Sequence, residues 1–153
     1  KNAFLLLVGE GMDLANEGIT NIIPKTASSR LRFAGIRKDM DYVMNALDVI
    51  ALPSIEEGFP NVIAEAMASG VLAVANDVGD VRQLIGKTGI VIQHKNIKDM
   101  VKAIMNIKEM EGEACDRLRD NAEQRIKKNY DLLKISQKYE AFYRSIIHLK
   151  DDL

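Results

Sequence analysis

Cysteine occurs once, at Cys115, so the chain cannot close an internal disulfide and shows no framework of a secreted domain. No apolar run approaches the roughly 20 residues needed to cross a bilayer, and the first residues lack the layout of a signal peptide. Neither sign of charge dominates: 21 Lys and Arg against 22 Asp and Glu leave a net charge of −1, so no overall basic character points to nucleic acid. Cys115 has no defensible Cys/His partner, and no Ser/His/Asp arrangement stands out. His, Cys and carboxylates form no cluster with metal-ligand spacing, so no metal is expected. His94 and His148 fall outside the stretches that carry chemistry and read as surface or structural residues. Internal repeats, low-complexity tracts and linkers are also missing. What remains is a reduced, cytoplasmic chain, and 153 residues at 47% apolar content can build one ordinary domain, residues 1–153.

Five short apolar segments read as strands: Phe4 to Val8, Leu31 to Ile36, Asp48 to Leu52, Val71 to Ala75 and Gly89 to Ile92. Helical patterns alternate with them, which predicts an α/β, doubly wound, mainly parallel sheet. Between the first two strands, Gly18, Asn21 and Pro24 allow only a short, irregular helix. Met40, Val43, Met44 and Leu47 lie at helical spacing and read as core. Val81 to Ile85 makes a short helix after the loop Asn76 to Asp80, in which Gly79 is expected to permit a tight turn. From Asn96, a plausible N-cap, the chain is helical to its end. Met100, Val101, Ile104 and Ile107 form an inward stripe, and Gly112 separates the last helices, about 113–149. The final one carries Leu132, Ile135, Tyr139, Phe142, Tyr143, Ile146 and Ile147. Lys127, Lys128, Lys134 and Lys138 would attract anionic lipid, but interspersed acids favour a solvated face.

The chain is organised around the stretch from Leu52 to Gly70. A buried strand runs into a polar turn, Pro53 to Phe59, and then a helix. Pro60 suits a first helical position. Ile63, Ala66, Met67 and Gly70 make its core face, while Asn61 and Glu65, four apart, share the other. In doubly wound sheets ligands bind off the carboxyl ends of the strands, and a helix N-terminus there offers free N–H groups to phosphate. Gly58 has no Cβ, so a ligand can approach its backbone. Glu65 can accept two hydrogen bonds, as the paired hydroxyls of a ribose require. Glu57 stands just before the helix, at the same crevice.

Glu57 and Glu65, set in the string Glu-Gly-Phe-Pro-Asn-Val-Ile-Ala-Glu-Ala-Met-Ala-Ser-Gly, resemble the E-x7-E signature of retaining glycosyltransferases of family 4. The likeness extends to Leu5–Gly11, Leu31–Gly35 and Gly89–Ile92. It implies the GT-B fold, two Rossmann-like domains facing a cleft, with this chain the second, nucleotide-sugar-binding one and a helical C-terminal tail. The implied reaction transfers a sugar from a nucleotide-sugar donor to an acceptor hydroxyl with retention of configuration. No cofactor is implied. Glu57 would hold the donor sugar and Glu65 the ribose, and Gly58, Phe59, Pro60 and Asn61 would give backbone contacts to sugar and phosphate. Ile36 and Arg37, just after Gly35, would occupy the place where the family meets the nucleotide base, although Arg37 and Lys38 read equally as solvated charge. Gly9 and Gly11 would lie in a loop lining the donor or acceptor side; alone they form a plain strand-to-helix turn. The family carries an earlier strand–helix unit with an arginine and a lysine that neutralise the diphosphate, and nothing in this chain maps onto that pair. The missing first domain of the enzyme would be a partner. Glycan, lipid-linked and small-molecule acceptors all fit, as does peripheral membrane association of the whole enzyme. The alternative reading is a non-catalytic module that binds a nucleotide or a protein in the same crevice.

Overall fold

The computed structural model describes residues 3–93, 96–110 and 112–151, the stretch 148–151 by its backbone alone. The expectations for His94 and for the side chain of His148 lie outside the described residues. The chain divides into two compact units, residues 1–40 and 41–153.

In the first unit two apolar segments pair in parallel, β1 (Leu5–Val8) with β2 (Leu31–Gly35). Leu7 lies opposite Phe33, but Val8 lies opposite Gly35, so the register slips at the end of the pair. Gly35 makes this slip possible by taking φ +58°, a conformation that costs a residue with a Cβ. The Gly9 N–H then reaches the Gly35 carbonyl at 2.8 Å. The connection holds a four-residue helix, α1 (Glu17–Thr20), and a 3-10 turn over Lys25–Arg30. Pro24 stands between them in extended conformation, which explains why no longer helix forms.

The second unit is built on three parallel strands in the order β3 (Val49–Leu52), β4 (Leu72–Asn76), β5 (Ile90–Ile92). Every residue of the central β4 is buried, the signature of a strand covered on both faces. The period of two then sorts its side chains. Ala73 and Ala75 pack with Ile63 and Met67 of α3 (Asn61–Ala68), Leu84 and Ile85 of α4 (Val81–Ile85), and Ala122 and Ile126 of α6 (Glu113–Asn129). Leu72 and Val74 pack on the other face with Ala103 and Ile107 of α5 (Ile97–Glu109). The remaining helices are α2 (Met40–Asn45) and α7 (Leu132–Asp151). Asn96 caps α5 as expected, its side-chain oxygen accepting from the Lys98 N–H at 2.9 Å.

Four details differ from the sequence pattern. Pro60 is the N-cap of α3 rather than its first helical residue: at ψ 83° it is not helical, yet its carbonyl accepts from Ile63 and Ala64 and so starts the helix. Gly70 does not share the core face of α3; the helix ends at the cap Ser69, and Gly70 lies beyond it. Val101 is exposed, and Ala103 takes its place in the inward stripe, because the buried face of α5 is set by contact with Leu72 and Val74. Strand β4 runs one residue further than its apolar run, through Asn76, because Asn76 still pairs with Ile92. In α7 the residues Leu132, Tyr139, Phe142, Tyr143, Ile146 and Ile147 are all exposed. No described helix is long and apolar enough to cross a membrane.

Candidate functional site

Parallel pairing places the ends of β3 and β4 side by side, with Leu52 opposite Ala75. Two loops therefore leave the carboxyl edge of the sheet together: residues 53–60 toward α3 and residues 77–80 toward α4. The second loop holds the first. Asn76, 5% exposed, donates from its side-chain amide to the carbonyls of Pro53 (2.9 Å) and Ser54 (3.1 Å). The Asp80 N–H donates to the Gly58 carbonyl at 3.0 Å. Between them Gly79, at φ +50°, lies so close that a Cβ built on it would meet the Glu57 carbonyl oxygen at 2.2 Å and that of Gly58 at 2.3 Å. The expected tight turn at Gly79 is present, and backbone-to-backbone contact makes the glycine necessary. Arg82 pairs with Asp77 across the same turn, and this carboxylate raises the arginine's pKa from its ordinary value.

The far side of the first loop rests on α6. The ring of Phe59 lies 5.6 Å from that of Tyr130, at 45°. Tyr130, the C-cap of α6, also directs its hydroxyl to the Gln83 carbonyl at 3.3 Å. Arg125 donates to the carbonyls of Leu84 (2.7 Å) and Gln83 (2.6 Å), where a cation meets the free carbonyls and negative dipole end of α4.

The structure thus brings Glu57, Gly58, Phe59, Pro60, Asn61 and Glu65 onto one loop and the first turns of one helix. Pro60 is buried, Glu57 is half-buried, and Asn61 and Glu65 are exposed on one face of α3. A Cβ added to Gly58 would meet nothing within 4 Å, so its backbone borders open space. Among the described residues, neither carboxylate makes an ion pair or accepts a hydrogen bond. The N–H groups of Ser54, Ile55, Glu56, Glu57, Gly58 and Phe59 donate to no described group, while the carbonyls of Pro53, Ser54 and Gly58 are all engaged. At both ends of the loop acceptors are used within the fold, at Pro53, Ser54 and Gly58, whereas the six N–H groups from Ser54 to Phe59 are not.

Gly9, Gly11, Ile36 and Arg37 belong to the first unit, at the carboxyl edge of β1 and β2. The Gly35 N–H donates to the Met12 carbonyl at 3.1 Å, joining the glycine loop to the turn that carries Ile36 and Arg37. Ile36 is 72% exposed. Arg37 is engaged by Asp39, through Nε at 2.8 Å and a second contact at 2.5 Å. This guanidinium lowers the Asp39 pKa below its ordinary value. A depressed carboxylate keeps its contact above the ordinary range and loses it as pH falls through the lowered pKa. The Arg37–Asp39 contact is therefore expected to persist on acidification past the point where exposed aspartates protonate, and carboxyl-carbon NMR of Asp39 checks this.

Asn76, Arg125 and Tyr130 carry much of this geometry and lie outside the Glu57–Glu65 string. A lone amide closing the apolar run Leu-Ala-Val-Ala is a visible signal for Asn76. Arg125 and Tyr130 act over more than 40 residues of sequence, on Gln83 and Leu84, and leave no local trace. Among the described residues no group of three or more His, Cys, Asp or Glu could hold a metal ion.

Parallel strands with helices on both faces, and a donor-rich loop at the carboxyl edge, define a Rossmann-like α/β unit. The chain belongs to the glycosyl transferases group 1 family, whose model matches residues 1–109. It is 29% identical, over 122 residues, to the Campylobacter jejuni N,N'-diacetylbacillosaminyl-diphospho-undecaprenol alpha-1,3-N-acetylgalactosaminyltransferase, covering 78% of this chain and 32% of that protein. Among solved structures, Anabaena HepE in complex with UDP superposes with a TM-score of 0.76 at 23% identity, covering 94% of this chain and 41% of that one. Sucrose-phosphate synthase from Thermosynechococcus elongatus does so with a TM-score of 0.79 at 25% identity, over 94% and 38%. The chain thus spans between about a third and two fifths of the length of these proteins.

Proposed function

We propose that this chain is the donor-binding part of a retaining glycosyltransferase that moves a sugar from a nucleotide-sugar to an acceptor hydroxyl. One observation carries the reading: in the Pro53–Pro60 loop the carbonyls of Pro53, Ser54 and Gly58 are engaged by Asn76 and Asp80, while the N–H groups from Ser54 to Phe59 donate to no described group, at the start of an eight-residue helix. N–H groups and a positive helix end are what an anionic diphosphate requires. Glu65, a turn into α3, accepts from the ribose hydroxyls. Glu57, whose backbone is pressed against Gly79, holds the donor sugar. As the glycosidic bond breaks, charge grows on the leaving diphosphate, and N–H groups fixed in advance stabilise it without reorganisation. The acceptor is held by the part of the enzyme that this chain does not span; without it no hydroxyl is positioned for attack. UDP in the HepE complex and the glycosyl transfer named for the Campylobacter relative support this reading.

Glu65→Gln tests it. The change keeps the shape of the side chain and removes its charge, so a hydrogen bond to a charged acceptor becomes a neutral one. A loss of roughly 1.5–3 kcal/mol, about ten- to a hundredfold in affinity, is expected for a nucleoside diphosphate by calorimetry. Equal affinities of the two proteins would remove the ribose role.

A further inference from the structure

We infer that Asn76 is a positioning residue of the donor site, acting through the peptide planes at Pro53 and Ser54; the inference rests on the donor-site reading above. Asn76 is the one buried polar residue among the described positions of the second unit, and it ends a strand whose other four residues are apolar. It belongs to neither of the two apolar clusters that cover β4. Its side-chain NH2 has two hydrogens and meets two successive carbonyls, Pro53 at 2.9 Å and Ser54 at 3.1 Å. Its own backbone is fixed at both ends: it pairs with Ile92 in the sheet, and its carbonyl accepts from the Val78 N–H at 3.0 Å. The amide is therefore held on a rigid strand and in turn holds the loop.

The consequence follows from peptide geometry. In a trans peptide the C=O and the next N–H point in opposite directions, and no cis peptide occurs among the described residues. With the Pro53 and Ser54 carbonyls turned to Asn76, the N–H groups of Ser54 and Ile55 must face away from it. The same rule applies further along: the Gly58 carbonyl is turned to the Asp80 N–H, so the Phe59 N–H faces away from the β4 loop. Neither N–H turned by Asn76 donates to any described group. Asn76 thus decides which edge of these two peptides is presented to a ligand, from a position where it does not itself touch one. An acceptor-only side chain of the same shape would reverse the preference, by repelling both carbonyls.

The test compares the 153-residue chain with Asn76→Asp and Asn76→Thr, titrated with UDP, ADP and GDP and followed by amide shifts in 15N-labelled protein, far below the unfolding transition. Near about pH 7.5 the introduced carboxylate has no proton to donate, and affinity for the nucleotide that the wild type binds is expected to fall about tenfold. Lying beside two carbonyl oxygens out of water, this carboxyl titrates above the ordinary aspartate range. Near about pH 5 it regains an O–H donor, and the ratio of variant to wild-type affinity should recover. Asn76→Thr, with a single donor, should lose about threefold. A role confined to global stability would move none of these ratios in folded protein. If the wild type binds a nucleotide and both variants bind it equally at both pH values, the positioning role is wrong and the donor site stands. If the wild type binds none of the three, the donor-site reading fails and this inference with it. Should Asn76→Asp not fold, Asn76→Thr alone decides: unchanged affinity overturns the proposal.

Discussion

Gly79→Ala is expected to lower the stability of the second unit by about 3 kcal/mol and to dislodge the Glu57–Gly58 backbone. Two costs add. The residue sits at φ +50°, where a Cβ costs roughly 1–2 kcal/mol. The new methyl would also stand 2.2 Å from the Glu57 carbonyl oxygen and 2.3 Å from that of Gly58, both of them backbone atoms that cannot rotate aside. Either the Pro53–Pro60 loop or the turn after β4 must shift, and overpacking of this kind costs roughly 1–3 kcal/mol. Gly70→Ala is the control. It shares a positive φ, +72°, but a Cβ there meets nothing within 4 Å, so only the backbone cost of roughly 1–2 kcal/mol remains. Urea unfolding of the two variants beside the wild type measures the difference. Equal losses would mean that the loop yields freely to the added methyl, and the second loop would then not be what holds the first.

Glu57→Ala should separate transfer from binding. In an enzyme carrying this chain together with its acceptor-binding part, turnover is expected to fall about a hundredfold, the scale of losing one interaction strengthened in the transition state. Affinity for the nucleoside diphosphate should change by less than about threefold, since that product lacks the sugar which Glu57 is proposed to hold. The position supports this division. Glu57 precedes the helix by several residues, whereas Glu65 lies in its second turn, and the Glu57 carboxylate meets no described partner. Steady-state kinetics with donor in excess, beside calorimetry of product binding, reads both quantities. Wild-type turnover in the variant would end the assignment.

The amino-acid sequence by itself determined most of the elements and where the Glu57–Glu65 string falls among them. The continuous apolar run Leu72–Ala75 marks a strand with no polar face, and such a strand needs helices on both sides. Helical spacing picked out Ile63, Ala66 and Met67, all fully buried. The Glu57–Glu65 string pointed to the carboxyl edge of a strand, where the fold puts it. These are local signals: backbone period, side-chain polarity and glycine or proline at turns act over a few residues. Tertiary structure decided the rest. Pro60 reads as a first helical residue by its type, but its burial and the carbonyl it offers to Ile63 and Ala64 make it the cap. Val101 fits the helical stripe by spacing, but Leu72 and Val74 choose which face of α5 is covered, and they choose the one with Ala103. Asn76 meets Pro53 and Ser54 across 22 or 23 residues, and Arg125 meets Leu84 across 41. Such contacts exist only once strands have paired and helices have docked, because the hydrogen-bonding partners are backbone carbonyls, which every residue possesses and no sequence pattern distinguishes.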